Sequence, residues 1–350
     1  MRILVGDVRE QLRTLDAKSV QATICSPPYF QLRAYLEPDH PDKPLEIGQE
    51  ATPAQFVETL VDVFREVKRV LRDDGVLFVN LGDSYAGSGK GPTGGNGIGD
   101  QEQRQGFVNA PLHCGNPEKI GAISGNQGAT SMRGYPGMRA KSLMLIPERF
   151  AIAMADDGWI VRSQIVWAKK SAMPESVRDR CTSAWEPIFM FTKQGRYYFD
   201  QDAIRTPYPE ASIKRNEYQV QDQRTGVVGH LLDGMQNSVA GKAAITRDAP
   251  ALNPMGAAPR NVWHLGPEPL RGEEHYAAFP TEIPRRCILA ASRKGDTILD
   301  PFGGSGTTGL VADQLERHAV LIDLSPTYAA MAKRRIEGDS PMFANVEVSS

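Results

Sequence analysis

Short apolar runs alternate with amphipathic stretches at both ends of this chain. Ile3 to Val5 and Val20 to Cys25 read as short buried strands, while Phe56, Leu60, Val63, Phe64, Val67 and Leu71 recur at helical spacing. Asp73-Asp74-Gly75 reads as the end of that helix, and Val76-Leu77-Phe78-Val79 as the next strand. The same alternation predicts a helix over Leu143 to Ala155 and strands over Ile160 to Ala168 and Pro187 to Thr192. From Ile283 it continues with a helix to Ala291, a strand Thr297 to Leu299, a helix Thr307 to Leu315, a strand Ala319 to Ile322 and a helix Pro326 to Ile336. Strand and helix in turn specify an α/β fold, a mostly parallel sheet with helices on both faces.

Two stretches break the pattern. From Ala86 to Gly137 the apolar residues thin out, and 14 of the chain's 33 glycines fall there. Such a segment cannot bury a core, so 86–137 reads as a mobile glycine-rich insertion, either a plain surface loop or one that orders on a ligand. Lys90, Arg104, Arg133 and Arg139 lie in or just beyond it, available to phosphates. Residues 201–262 are polar, weakly periodic and rich in Asn, Gln, Gly and Pro, and read as a separate module. The sheet domain is then 1–200 with 263–350.

Composition narrows the function classes without choosing one. The 350 residues are 41% apolar and 23% charged, ordinary for a globular protein, and the net charge of −2 makes any nucleic-acid surface local. One such patch lies around Lys169, Lys170, Arg178 and Arg180, which outweigh Glu175 and Asp179. The four cysteines, Cys25, Cys114, Cys181 and Cys287, are far apart with no CxxC, against a disulfide framework or a structural zinc site. His113-Cys114 has no second pair nearby, so no metal is expected. No apolar run is long enough to span a bilayer, and Met1-Arg2-Ile3-Leu4-Val5 runs straight into Gly6-Asp7 without a charged-then-apolar leader. A cytoplasmic protein is expected.

Two turns carry candidate chemistry. The first ends a strand: Thr23-Ile24-Cys25-Ser26-Pro27-Pro28-Tyr29-Phe30. Paired prolines lack backbone donors and fix φ, so they stop a strand and leave a stiff turn with outward carbonyls, either a simple stop or a place to hold a ligand. The second, Asp300-Pro301-Phe302-Gly303-Gly304-Ser305-Gly306-Thr307-Thr308, joins a strand to a helix. There an α/β sheet binds nucleotide-like ligands, although tight packing alone also selects such glycines. The lysine of a phosphate loop is missing. Asp323, 19 residues after Gly304 at the end of the next strand, stands near the offset of a ribose-binding carboxylate. Asp7 lies either at a binding site or at a helix cap.

Ser26-Pro27-Pro28-Tyr29 resembles the (D/N/S)PP(Y/F) catalytic motif, and Asp300 to Gly306 the FxGxG cofactor motif, of the amino-methyltransferases of DNA. The catalytic motif comes first, which is similar to the circularly permuted beta class. Gly6-Asp7, Arg69-Val70-Leu71, Trp185-Glu186-Pro187, Tyr197-Tyr198-Phe199 and His275 to Pro280 extend the resemblance over roughly 1–85, 140–200 and 260–340.

The resemblance implies a Rossmann-like methyltransferase fold that uses S-adenosylmethionine, with 201–262 as an inserted target-recognition region. It implies that Ser26 and the Pro27 carbonyl accept hydrogen bonds from an exocyclic amine, that the prolines aim that carbonyl, and that Tyr29 stacks on a base flipped out of duplex DNA. It assigns Asp323 to the ribose hydroxyls, Asp7 to the adenine end, Asp300, Phe302, Gly304, Gly306 and Thr307 to the turn around the methionine moiety, and Phe279 and Pro280 to the pocket wall. Arg215, Arg224, Asn237 and Arg247 become candidates for reading DNA. A cognate restriction endonuclease and a homodimer are partners that the resemblance admits. Carbon-5 chemistry needs a cysteine after a proline, and none of the four stands there. A serine opening the motif goes mostly with N4 of cytosine in that family, aspartate mostly with N6 of adenine, so cytosine is expected. A nicotinamide oxidoreductase would explain Asp323 but leave Ser26 to Tyr29 without a role.

Overall fold

The computed structural model describes residues 1–86, 138–172, 174–175, 177–216, 252–268, 279–339 and 346–349. Among them, nine strands and six longer helices follow in chain order as β1 (Arg2–Val5), α1 (Val8–Arg13), β2 (Val20–Cys25), α2 (Pro53–Val70), β3 (Leu71–Asn80), α3 (Ile146–Asp156), β4 (Ile160–Lys169), β5 (Trp185–Thr192), β6 (Val262–Leu265), α4 (Glu282–Ala291), β7 (Thr297–Asp300), α5 (Thr307–Gln314), β8 (His318–Asp323), α6 (Pro326–Asp339) and β9 (Glu347–Ser349). The strands form one sheet in the order β6-β4-β5-β3-β2-β7-β8-β1-β9. Only β5 runs against its neighbours β3 and β4. The other pairings are parallel.

Helices α1, α2 and α3 pack in a row on one face, and α4, α5 and α6 in a row on the other. Alternation along β3 sorts the two cores, with Leu77 and Val79 entering one and Val76 and Phe78 the other. Helix α2 shows why the sequence folds this way. Thr52 caps it by accepting from the Gln55 N–H at 3.2 Å, Pro53 occupies its first turn, and Phe56, Leu60, Val63, Phe64 and Val67 are fully buried on one stripe. Each such side chain contributes about 1.5–3 kcal/mol of burial.

Two expectations are corrected here. Asp73-Asp74-Gly75 does not end the helix but lies inside β3, because Leu71 is already extended (ψ 137°) and buried, paired with Val20. The two exposed acids are tolerated because Lys18 donates to Asp73 at 2.7 Å and Lys193 approaches it at 3.3 Å. The helix expected from Leu143 begins at Ile146, since Leu143 forms a bridge with Tyr85 and Leu145 adopts a left-handed conformation (φ 56°). The edge strands β6 and β9, only 4 and 3 residues long, carry too little pattern to have been predicted.

The arrangement fixes a crevice. Strands β2 and β7 are neighbours, yet the chain leaves β2 through α2 toward β3 and leaves β7 through α5 toward β8, on opposite sides. Ligands of α/β sheets bind outside the carboxyl ends at such a switch point. Both motif turns hang from those two ends.

Residues Asp200–Arg260 form a second compact unit. Within it Thr206 bridges Ala257, Arg205 donates to the Gly256 carbonyl at 2.9 Å, and the Asn253 N–H donates to the Tyr208 hydroxyl at 3.0 Å. Its residues 210–216 are helical. The 86–137 insertion lies outside the described residues apart from Ala86. Among the described residues, no helix is long and apolar enough to cross a membrane.

Candidate active site

A cavity of about 1020 Å³ opens where β2 and β7 end, and both turns line it. Ser26, Pro27, Pro28 and Tyr29 form one side, with Asp300, Phe302, Gly304, Thr307 and Asp323 on the other, and Asp7, Phe279 and Lys169 completing the wall.

The glycine turn is built around two carboxylates. Asp300, 2% exposed, accepts from the Phe302 N–H at 3.0 Å and from the Thr308 hydroxyl at 2.7 Å, so it shapes the turn from within. Burial pushes it up to about 7, a rise those two donors oppose and the charge of Asp323 reinforces. Asp323 accepts from the Gly304 N–H and the Ser325 N–H, both at 2.8 Å, and burial pushes it up to about 6 against those donors. A carboxylate so held at a cavity wall retains acceptor capacity toward incoming hydroxyls.

Gly306 serves packing rather than the cavity. It takes a left-handed conformation (φ 77°), and a Cβ there would stand 2.8 Å from that of Ala332 on α6. Arg335 braces the same turn from α6, donating to Thr307 Oγ1 at 2.8 Å and to the Ser305 carbonyl at 3.2 Å. Pro280 is buried at the start of α4, its carbonyl accepting from the Ile283 N–H at 3.0 Å.

Asp7 resolves the choice left by its sequence position. It caps α1, accepting from the Arg9 N–H at 2.8 Å and the Glu10 N–H at 3.3 Å, and it pairs with the Arg9 guanidinium. Burial raises its carboxyl, but hydrogen bonds and charge from Arg9 outweigh that and hold it below the usual value. Its carboxylate is therefore committed to the cap while the residue still lines the cavity.

On the other wall, the Tyr29 hydroxyl donates to Glu186 Oε2 at 2.6 Å, and Lys169 pairs with the other carboxylate oxygen. Asn80, at the end of β3, donates to Glu186 at 3.3 Å and to the Pro187 carbonyl at 3.1 Å. The Tyr29 ring lies against Gly82, where a Cβ would come within 2.3 Å of the ring. Burial, then Glu186, pushes the phenol well above its ordinary value. Cys25 is buried behind the turn, and burial and Asp300 push its thiol well up, so it stays an inert core side chain.

Glu186 and Asn80 escaped the list of candidate residues. The available signal was Glu186 itself, a carboxylate opening the otherwise apolar run Pro187 to Phe191. Of the basic candidates, Lys169 alone lines the cavity. Lys170 and Arg178 are exposed, and Arg180 pairs with Glu175 at 2.6 Å and lies over the Tyr85 ring. Arg215 is exposed in the second unit; Arg224, Asn237 and Arg247 lie outside the described residues, as do His113-Cys114 and residues 275–278 of the His275 to Pro280 stretch.

Two such turns at the switch point of a largely parallel sheet define a nucleotide-cofactor transferase site rather than a phosphate loop. The N6_N4_Mtase family of DNA methylases matches residues 20–334, and this chain belongs to that family. The family uses S-adenosylmethionine. The chain is 36% identical over 334 residues to the type II methyltransferase M.Cfr9I of Citrobacter freundii, covering 95% of this chain and 87% of the relative. It is 33% identical over 336 residues to M.SmaI of Serratia marcescens, covering 96% and 90%. Among solved structures, the cytosine-N4-specific PvuII DNA methyltransferase has the same fold at 17% identity (TM-score 0.57, covering 99% of this chain and 94% of that one). So does a DNA modification methylase of Thermus thermophilus, TTHA0409, complexed with S-adenosyl-L-methionine, at 21% identity (TM-score 0.53, covering 99% and 97%).

Proposed function

We propose that this protein transfers a methyl group from S-adenosylmethionine to the exocyclic N4 amine of a cytosine flipped out of duplex DNA, as a member of the permuted beta class. The observation that carries the reading is that the Ser26 turn and the turn bearing Asp323 open into one cavity from adjacent strand ends.

The wall chemistry fits the cofactor. Asp323 offers acceptors to ribose hydroxyls, the backbone of Phe302 to Gly304 curves around the place for the amino-acid end, and Phe279 offers an apolar surface. When bound, S-adenosylmethionine supplies an electrophilic methyl group on a sulfonium. The protein's part is then positioning in a site that excludes water. Ser26 and the Pro27 carbonyl accept from the amine and localise its lone pair, and the rigid proline pair keeps that carbonyl aimed. A base inside a duplex cannot reach this wall, so it must be extruded, at a cost of a few kcal/mol. Residues 201–262 supply target recognition, while 1–200 and 263–350 carry catalysis.

Serine at position 26 favours cytosine. The alternative is N6 of adenine, kept open by the 30% identity over 182 residues to the DNA adenine methyltransferase YhdJ of Escherichia coli (strain K12), a match covering 51% of this chain and 52% of that enzyme. Incubation with S-adenosylmethionine and mixed-sequence duplex DNA, digestion to nucleosides and mass spectrometry decide it. N4-methylcytosine is expected; N6-methyladenine reverses the base, and no methylated nucleoside reduces the protein to a DNA-binding fold.

A further inference from the structure

Behind the Ser26 turn the cavity wall carries a connected set of polar groups that amine binding does not use. The Tyr29 hydroxyl reaches Glu186 at 2.6 Å, and Lys169 and Asn80 hold the same carboxylate from β4 and β3. The Ser26 side chain lies beside the Tyr29 hydroxyl at the other end of the row. Glu186 is 15% exposed at its side chain and heads a strand whose following residues are buried. A carboxylate in such a place costs stability even when paired, and an apolar residue would avoid that cost. Charge kept at a cavity wall in contact with a motif hydroxyl points to chemistry.

We propose that Glu186 is the proton acceptor of this site, reached from the target amine through Ser26 and Tyr29, with Lys169 and Asn80 as positioning residues. The inference rests on the reading that Ser26 faces the amine. An amine that has gained a methyl group holds one proton more than the neutral product. Ser26 Oγ takes that proton as its own hydroxyl proton passes to the Tyr29 oxygen, and the Tyr29 proton passes to Glu186. Ser26 and Tyr29 finish as they began. Glu186 finishes as a neutral acid and returns the proton to water in the cavity. The raised phenol suits this role, since Tyr29 then passes a proton without dwelling as a phenolate.

The family motif admits phenylalanine where Tyr29 stands, so Tyr29→Phe separates stacking from relay. The test is single-turnover methyl transfer by the full chain to mixed-sequence duplex DNA, with cofactor affinity measured by calorimetry. Tyr29→Phe and Glu186→Gln are expected to bind S-adenosylmethionine as the unaltered protein does, yet to lose about 100-fold in transfer rate, the typical size of an acid-base contribution. Glu186→Ala is expected to regain rate when formate is added, and the same substitution on a Tyr29→Phe background is not, a pattern that a purely structural Glu186 would not produce. Rates within about threefold of the unaltered enzyme in Glu186→Gln or Tyr29→Phe, or no response to formate, overturn the relay and leave the methyltransferase reading standing. Absence of transfer by the unaltered enzyme overturns both.

Discussion

Asp323 has to be an ionised acceptor for a ligand while sitting where ionisation is disfavoured. Burial raises it to about 6, above the 3.8 of a free aspartate, so without a bound donor the folded protein favours the protonated acid more than an unfolded chain does. Hydroxyl donors bind the ionised form, and binding them should pull the carboxyl down again. Affinity for S-adenosylmethionine is therefore expected to fall as pH drops through about 6 and to be flat above about 7, while Asp323→Asn binds weakly at every pH. Calorimetric titration from pH 5 to 8 checks this, and a flat profile for the unaltered protein would remove Asp323 from the ribose. Gly82 offers a different kind of residue test. A methyl group there would stand 2.3 Å from the Tyr29 ring, which has no slack while its hydroxyl is held by Glu186 and Asn80. Gly82→Ala is expected to displace the ring and cut methyl transfer at least tenfold, with cofactor affinity unchanged. Normal turnover would show that the Tyr29 placement is not the working one.

At the scale of elements, the site depends on how closely α6 approaches the turn that starts α5. Gly306 permits that approach twice over, through its left-handed backbone and its missing Cβ, and Arg335 then ties α6 to Ser305 and Thr307. Gly306→Ala combines backbone strain of about 1–2 kcal/mol with overpacking of about 1–3 kcal/mol. Urea unfolding should show a loss of about 2–5 kcal/mol, partly recovered by adding Ala332→Gly. Equal stability of Gly306→Ala would mean that the turn can shift cheaply. Elements of this kind were legible where periodicity is strong: α2 and the strands β2, β7 and β8 fall within a few residues of their expected bounds. The misread boundary at Asp73-Asp74-Gly75 arose because lysines from elsewhere in the chain neutralise those acids, which no local pattern records. The motif turns were legible as chemistry, but Glu186 and Asn80 join the site only because β5 and β3 pair side by side, a tertiary fact.

For the molecule as a whole, the division at Asp200 and Arg260 separates two jobs. The sheet unit holds every residue of the cavity wall, so methyl transfer needs nothing from the second unit except the choice of where to act. Sequence is read by a few side chains at base edges, each good pair worth about 1–3 kcal/mol, and such contacts can change without touching the chemistry. Exchanging residues 200–260 for the corresponding segment of a family member with a different target should therefore move methylation to that member's site, with cofactor affinity and single-turnover rate on the new site within about tenfold of the original. Methylated-base mapping on a sequenced genome reads the outcome directly. Retention of the original site by the exchanged protein would assign recognition to the sheet unit, around exposed Lys170 and Arg178 beside the cavity residue Lys169, and would return the second unit to a role other than reading DNA.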